Sequence, residues 1–366
     1  MSDPDALGAV LNGPGEPVTI EKIAVEPPGP RDVRVRLAAS GVCHTDLHVK
    51  NHRGLGLEFP ILLGHEGAGH IEAVGKAVTA LAPGDPVVIA WRAPCGSCSA
   101  CLRGEHRRCK TDLVPSGRVR RASDGALLSP VLSTGTLATH TIVPATAAVK
   151  IPAEIPLSRA CLIGCAVSTG VGAALNLSPA VWQGASVAVI GCGAIGLSII
   201  QGARLARAAR IFAVDIRRPK LTWAERFGAT DLVDAGSEDP VARVRELTGG
   251  EGVDFAFEAV GTPECVDSAL RMICYGGVAT HAGVAAPGTP LEIDLGDFGW
   301  ENRMLRACDG GETLPAKDFP KLVDLYLRGE LDLDSMVTRE IALEEVEDAF
   351  RAMEAGEVIR SVVLFD

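Results

Sequence analysis

The apolar run Ser186-Val-Ala-Val-Ile190 ends in Gly191-Cys-Gly-Ala-Ile-Gly196, and this junction restricts the fold more than any other stretch of the chain. A strand must stop there, and its backbone must turn into a helix that starts near Ala194. The alternation continues. Strands are expected over 210–214, 231–233, 253–257 and 277–282, and helical periodicity covers 194–208, 220–227, 241–247 and 264–273. Strands alternating with helices predict a parallel sheet covered on both faces. G-x-G-x-x-G alone is a weak signal. Here it follows a strand, opens a helix, and has Asp215 at the end of the next strand. In that arrangement Gly191, Gly193 and Gly196 let a pyrophosphate approach the helix N-terminus, and Asp215 holds ribose hydroxyls. A carboxylate there repels a 2′-phosphate and points to NAD, while Arg217 and Arg218 are the groups that would take that phosphate in NADP.

The first third has another texture. Val33-Arg-Val-Arg-Leu37 alternates like a half-buried strand, and 70–74 and 86–90 follow between glycine and proline breaks. After about Gly310, amphipathic patterns over 319–328 and 343–354 precede a closing strand over 361–365. A chain of 366 residues suits two domains. The pattern gives an irregular β-rich part first and, after about Pro156, an α/β part with a parallel sheet.

The net charge of −11 argues against nucleic acid and anionic membranes as partners. Residues 1–10 carry Asp3 and Asp5 without a basic cluster, so a cytoplasmic protein is expected. Residues 160–203 lack any charge, yet Asn176, Pro179, Gln183 and many glycines fit a buried strand, turn and helix better than a membrane span. At this length, eleven cysteines do not read as a secreted disulfide framework.

Cys95, Cys98, Cys101 and Cys109 form C-x2-C-x2-C-x7-C within a polar loop containing Gly96, Ser97, Ser99, Gly104 and Glu105. Such a loop is a poor place for a core of buried thiols. Four thiolates can enclose one zinc ion tetrahedrally and leave no open position, so a structural zinc lobe over 92–112 is expected. A nucleic-acid-binding ribbon is the alternative. Arg103, Arg107 and Arg108 suit it locally and the overall charge does not.

Cys43, His65 and Cys165 are scattered but chemically matched: two thiolates and one imidazole would leave the fourth position of a zinc ion open. Singly, each reads more readily as a core residue than as a ligand. Their contexts are Gly-Val-Cys-His-Thr-Asp-Leu-His, Gly-His-Glu-Gly-Ala-Gly and Gly-Cys-Ala-Val-Ser-Thr-Gly. With Gly75 and Val78 following Gly64-His-Glu-Gly-Ala-Gly69, the chain resembles the zinc-containing medium-chain alcohol dehydrogenase family from about Val33 to Phe365. The resemblance implies an irregular β-rich, GroES-like catalytic domain over 1–166 and 311–366, and an α/β domain with a doubly wound parallel Rossmann sheet over 167–310. It also implies catalytic zinc ligands Cys43, His65 and Cys165, a carboxylate, Glu66, that can approach the metal, and Asp46 orienting His65.

The same resemblance implies a proton relay from Thr45 through the coenzyme ribose to His48. His44 and Arg360 would meet the pyrophosphate, Lys220 the adenosine ribose, and Thr169 and the backbone around Val284 the nicotinamide. Trp91 and Val114 would line the substrate pocket, with a bulky Trp91 favouring small primary or flat aromatic alcohols. The glutathione-using class carries Arg where this chain has Leu113, and polyol dehydrogenases carry Glu where it has Cys165. Residues 290–294, with Leu291 and Ile293 alternating with Glu292 and Asp294, would pair between subunits, giving a homodimer or homotetramer. Cys161, Cys192, Cys265, Cys274 and Cys308 are expected as buried packing.

The resulting expectation is a zinc-dependent oxidation of a primary aliphatic or aromatic alcohol to the aldehyde, or its reverse, with NAD and two zinc ions per chain. The alternatives are a formaldehyde dehydrogenase acting on a carrier-thiol adduct, and a catalytically silent NAD- and zinc-binding relative.

Overall fold

The computed structural model describes residues 6–51, 56–111, 114–115 and 117–365; Leu113, on which the glutathione comparison turns, lies outside them. The chain divides into two compact units, one made of Met1–Cys165 and Leu314–Asp366, the other of Ala166–Thr313.

Among the described residues the first unit carries a five-stranded and a seven-stranded sheet. Its longest strand, Asp32–Gly41, is flanked by Glu66–Val74, His140–Pro144 and Arg360–Leu364, all antiparallel to it. The alternation of Val33, Val35 and Leu37 predicts a half-buried strand, but the strand is buried on both faces. Its apolar side chains pack with Ile71, Val87 and Ile89. Each such side chain contributes about 1.5–3 kcal/mol on burial. On the other face Asp32 and Arg34 are also buried, and Arg34 sits in an ion pair with Glu72 at 2.5 Å. A paired charge can occupy a position that periodicity assigns to solvent.

The second unit holds six parallel strands in the order Asp231–Asp234, Arg210–Asp215, Ser186–Ile190, Val253–Glu258, Ile273–His281, Met304–Ala307. In chain order this is 3-2-1-4-5-6, the doubly wound arrangement, with its reversal between the first and fourth strands. Ala188, Phe212, Val214, Val233 and Ala256 fill one part of the core.

The charge-free stretch finds its reason here. Helix Ala166–Leu175 lies against helix Ala194–Leu205 so closely that a Cβ on Gly170 would fall 2.4 Å from the Ser198 Cβ, and one on Gly202 2.8 Å from that of Ala174. Small residues permit that approach, and no charge fits between the helices. No single helix among the described residues is long and apolar enough to cross a membrane.

Within the chain residues 290–294 pair with no strand: Ile293 packs on the sheet core, and the Asp294 carboxylate caps helix Leu295–Trp300; the pairing expected of them is between subunits. One expectation needs correction. Of the five remaining cysteines, Cys161 and Cys192 are buried, while Cys265, Cys274 and Cys308 are half-exposed. Cys265 lies in the first turn of helix Pro263–Met272, and Cys274 near the start of its strand. Cys308 directly follows the edge strand Met304–Ala307.

Candidate active site and metal centres

The first unit gathers Cys43, His65, Glu66 and Cys165, all buried, with one ligand-type atom from each within 4.8 Å of the others. Cys43 follows strand Asp32–Gly41 and starts the turn into helix His44–Asn51. His65 follows Gly64, whose φ of +97° and whose approach to the Leu137 amide nitrogen, 2.1 Å from a would-be Cβ, admit only glycine. Cys165 ends a short 3-10 turn, Cys161–Gly164.

Asp46 positions this group from the helix. Its Oδ1 accepts the Gly64 N–H at 2.7 Å, and its Oδ2 lies 3.2 Å from His65 Nδ1. Both His65 ring nitrogens are fully buried and neither makes a hydrogen bond, although Asp46 stands beside Nδ1. A buried orphan nitrogen beside two thiols is what a metal ligand looks like before its cation is counted. The thiols differ. Their mutual hydrogen bond, aided by His65 and Arg360, drives Cys43 well below the ordinary thiol range against its burial. The same contact, together with burial, drives Cys165 well above it. His65 loses by desolvation but is raised overall by Asp46 and Cys43.

Glu66 lies opposite Arg360, Oε1 to Nη2 at 3.1 Å, and Arg360 Nη1 donates to the Val42 carbonyl at 2.8 Å. Burial pushes the Glu66 carboxyl up to about 7 against the pull of Arg360. Gly41 makes room for it, since a Cβ there would lie 2.1 Å from Glu66 Oε2. Arg360, expected at a pyrophosphate, is thus buried beside the metal cluster. Thr45 Oγ1 is 3.9 Å from Cys43 Sγ, and His48 sits three residues further along the same helix, half-buried. His44 is exposed, Trp91 half-buried, and Val114 58% exposed.

The second cluster is Cys95, Cys98, Cys101 and Cys109, again within 4.8 Å. Backbone N–H groups already serve the sulfurs: Cys98 to Cys95 Sγ at 3.3 Å and Cys95 to Cys109 Sγ at 3.4 Å. A hydrogen bond from Thr111, with the Ser97 and Cys98 amides, lowers Cys95 to about 5, while burial raises Cys101 to about 12. Donors aimed at sulfur favour the thiolate, the form a zinc ion takes. Both donor sets fit a zinc ion, closed in the lobe and three-ligand at Cys43.

In the second unit Gly191 has φ +89°, Gly193 faces open space, and a Cβ on Gly196 would fall 1.8 Å from the Gly191 carbonyl oxygen. The Asp215 carboxylate accepts N–H groups from Cys192 at 2.8 Å and Arg217 at 2.9 Å, so it is locked to the glycine turn. Arg218 is tied to Asp234 at 3.1 Å. Thr169 is buried, Lys220 half-buried and Val284 exposed. The turn leaves a cradle for a pyrophosphate with a carboxylate beside it.

Two patterns match the chain: residues 29–153 fit the alcohol dehydrogenase GroES-like domain, and residues 194–328 the zinc-binding dehydrogenase domain. Alcohol dehydrogenase 6 of Peromyscus maniculatus is 36% identical over 365 residues, covering 97% of this chain and 96% of that protein. The chain belongs to the zinc-containing medium-chain alcohol dehydrogenase family. Among solved structures of similar fold is an alcohol dehydrogenase zinc-binding domain protein from Burkholderia ambifaria, with TM-score 0.92, 33% identity and 99% of each chain covered. Another is benzyl alcohol dehydrogenase from Acinetobacter calcoaceticus, with TM-score 0.90, 30% identity and the same coverage. As a member of this family the chain is an oxidoreductase that depends on zinc and NAD(P).

Sequence reasoning missed two features of the site. One is the Glu66–Arg360 pair, which forms because Arg360–Leu364 and Glu66–Val74 flank the same strand. The other is a buried contact between Glu258 and His281. The available signal was a carboxylate and a histidine, each ending an apolar strand of one parallel sheet.

Proposed function

We propose that the chain oxidises a primary alcohol, aliphatic or aromatic, to its aldehyde, or reduces the aldehyde, by hydride transfer with NAD. The observation that carries this reading is the buried Cys43–His65–Cys165 donor set with His65 Nε2 unpartnered. Three protein ligands would hold a catalytic zinc and leave one position for substrate, and that zinc would lower the pKa of a bound hydroxyl. Thr45 takes the hydroxyl proton and His48 receives it further out; their places on one helix, with Thr45 next to Cys43, support this. Cys95, Cys98, Cys101 and Cys109 hold a second, structural zinc.

The coenzyme reading is NAD rather than NADP. Asp215 is fixed by two backbone donors where a 2′-phosphate would have to sit, and Arg218 is engaged by Asp234. Lys220 serves the adenosine ribose, His44 the pyrophosphate, and Thr169 and Val284 the nicotinamide. The likeness to a benzyl alcohol dehydrogenase favours an aromatic alcohol, and Trp91 with Val114 would line its pocket. Exposed Leu295 and Trp300, at 78% and 86%, lie close in sequence to the edge strand and support assembly into a homodimer or homotetramer.

The test is a panel of primary, secondary and aromatic alcohols and thiol–formaldehyde adducts, assayed with NAD and with NADP. Primary or benzylic alcohols with NAD should give the highest kcat/KM. Turnover confined to secondary alcohols or to thiol adducts, or a preference for NADP, would overturn the reading.

A further inference from the structure

Glu258 ends strand Val253–Glu258 and is fully buried. One carboxylate oxygen accepts the N–H groups of Val260 and Gly261. The other lies 2.6 Å from Nδ1 of His281, which ends the adjacent strand and stands opposite Glu258 in parallel register. The Glu258 carbonyl also accepts N–H groups from Ala282 at 2.8 Å and Gly283 at 3.0 Å. The two loops tied in this way touch. A Cβ on Gly261 would fall 2.3 Å from the Val284 carbonyl oxygen, and one on Gly283 2.3 Å from the Gly261 nitrogen.

The position of this knot in the sheet gives it a meaning. A dinucleotide bound to a doubly wound sheet lies across the carboxyl ends of the strands at the reversal of strand order. Gly191 and Asp215 belong to the strands on one side of that reversal. The ends of Val253–Glu258 and Ile273–His281 belong to the other side, which would underlie the nicotinamide half of a bound dinucleotide.

Resting on the coenzyme reading above, we propose that His281 is a positioning residue for the nicotinamide half of the coenzyme. It acts through Glu258 to hold Val260, Gly261, Gly283 and Val284 in one backbone arrangement. The His281 side chain is 27% exposed, whereas Glu258 has no contact with water that could replace a lost donor. The Glu258 hydrogen bond raises the His281 pKa above its ordinary value despite partial burial. With an apolar residue in place of His281, one oxygen of a buried carboxylate is left without its donor, and the loop relaxes to satisfy it.

The experiment compares binding of NADH and of ADP-ribose, which lacks the nicotinamide, by calorimetry on the zinc-loaded chain. His281→Leu should weaken NADH about tenfold, the scale of one lost hydrogen bond to a charged buried acceptor, and leave ADP-ribose within about twofold. His281→Asn, whose amide nitrogen overlays the imidazole Nδ1, should recover most of the NADH affinity. If His281→Leu does not fold, His281→Gln, whose amide reaches past that position, takes its place. Unchanged NADH affinity, equal loss of both ligands, or no recovery in His281→Asn would overturn the proposal alone. An unaltered chain that binds no NADH would overturn the coenzyme reading and the proposal with it.

Discussion

The Arg360 guanidinium lies 3.1 Å from the Glu66 carboxylate, with both side chains almost wholly removed from water. Neither charge has solvent to fall back on, and each is the main compensation for the other. Above about pH 7, where the Glu66 carboxyl is ionised, Glu66→Gln should therefore destabilise the chain by roughly 3–5 kcal/mol, because it strands a buried cation, and the loss should shrink as pH falls through about 7. The double variant Glu66→Gln/Arg360→Met should be more stable than Glu66→Gln alone. Urea denaturation of the parent, Glu66→Gln, Arg360→Met and the double variant measures the coupling; additive losses would show that the pair is not a unit.

Asp46 has no place of its own in the metal cluster, yet it fixes both Gly64 and the His65 ring. Asp46→Asn should weaken zinc binding or turnover by about 10–100-fold, the range for residues that orient a ligand. Competitive chelation, read as residual zinc per chain, checks this. Retention equal to the parent would mean that His65 needs no orienting partner.

The proposed Thr45–His48 step would leave a pH signature. His48→Gln should lower kcat roughly tenfold or more, most severely at low pH where external bases are scarce, and added imidazole should restore part of it. A pH profile parallel to the parent's would remove His48 from the proton path.

Legibility followed the distance between partners. The glycine turn with its flanking strand and the four clustered cysteines were readable because each is a local pattern whose geometry the backbone enforces. The grouping of Cys43, His65 and Cys165 needed their contexts and a family resemblance, since nothing in their spacing joins them. Arg360 meeting Glu66 was not readable, because it depends on antiparallel strands drawn from opposite ends of the chain. The burial of Arg34 was hidden for a related reason: a paired charge looks like a surface residue to any pattern of hydropathy.

In the cysteine lobe, Cys101 has the thiol that burial raises most, to about 12, so its thiolate depends most on a bound cation. Cys101→Ser should lower zinc content from about two to about one per chain and reduce the thermal midpoint, with the remaining metal at Cys43, His65 and Cys165. Elemental analysis of the purified variant decides it. A content still near two would contradict the four-thiolate site.

His281 provides a pH test that is independent of activity. Its pKa is raised above the ordinary 6.5, first by the hydrogen bond with Glu258 and against partial desolvation. The folded state therefore binds the proton more tightly than the unfolded one. The added stability is complete below about pH 6.5 and is lost as pH rises through the raised value. His281→Asn keeps a donor to Glu258 but does not titrate. The stability difference between parent and His281→Asn should shrink as pH rises from about 6 to about 9. Denaturant melts across that range measure it, and a difference independent of pH would show that the imidazole carries no proton that matters to the fold.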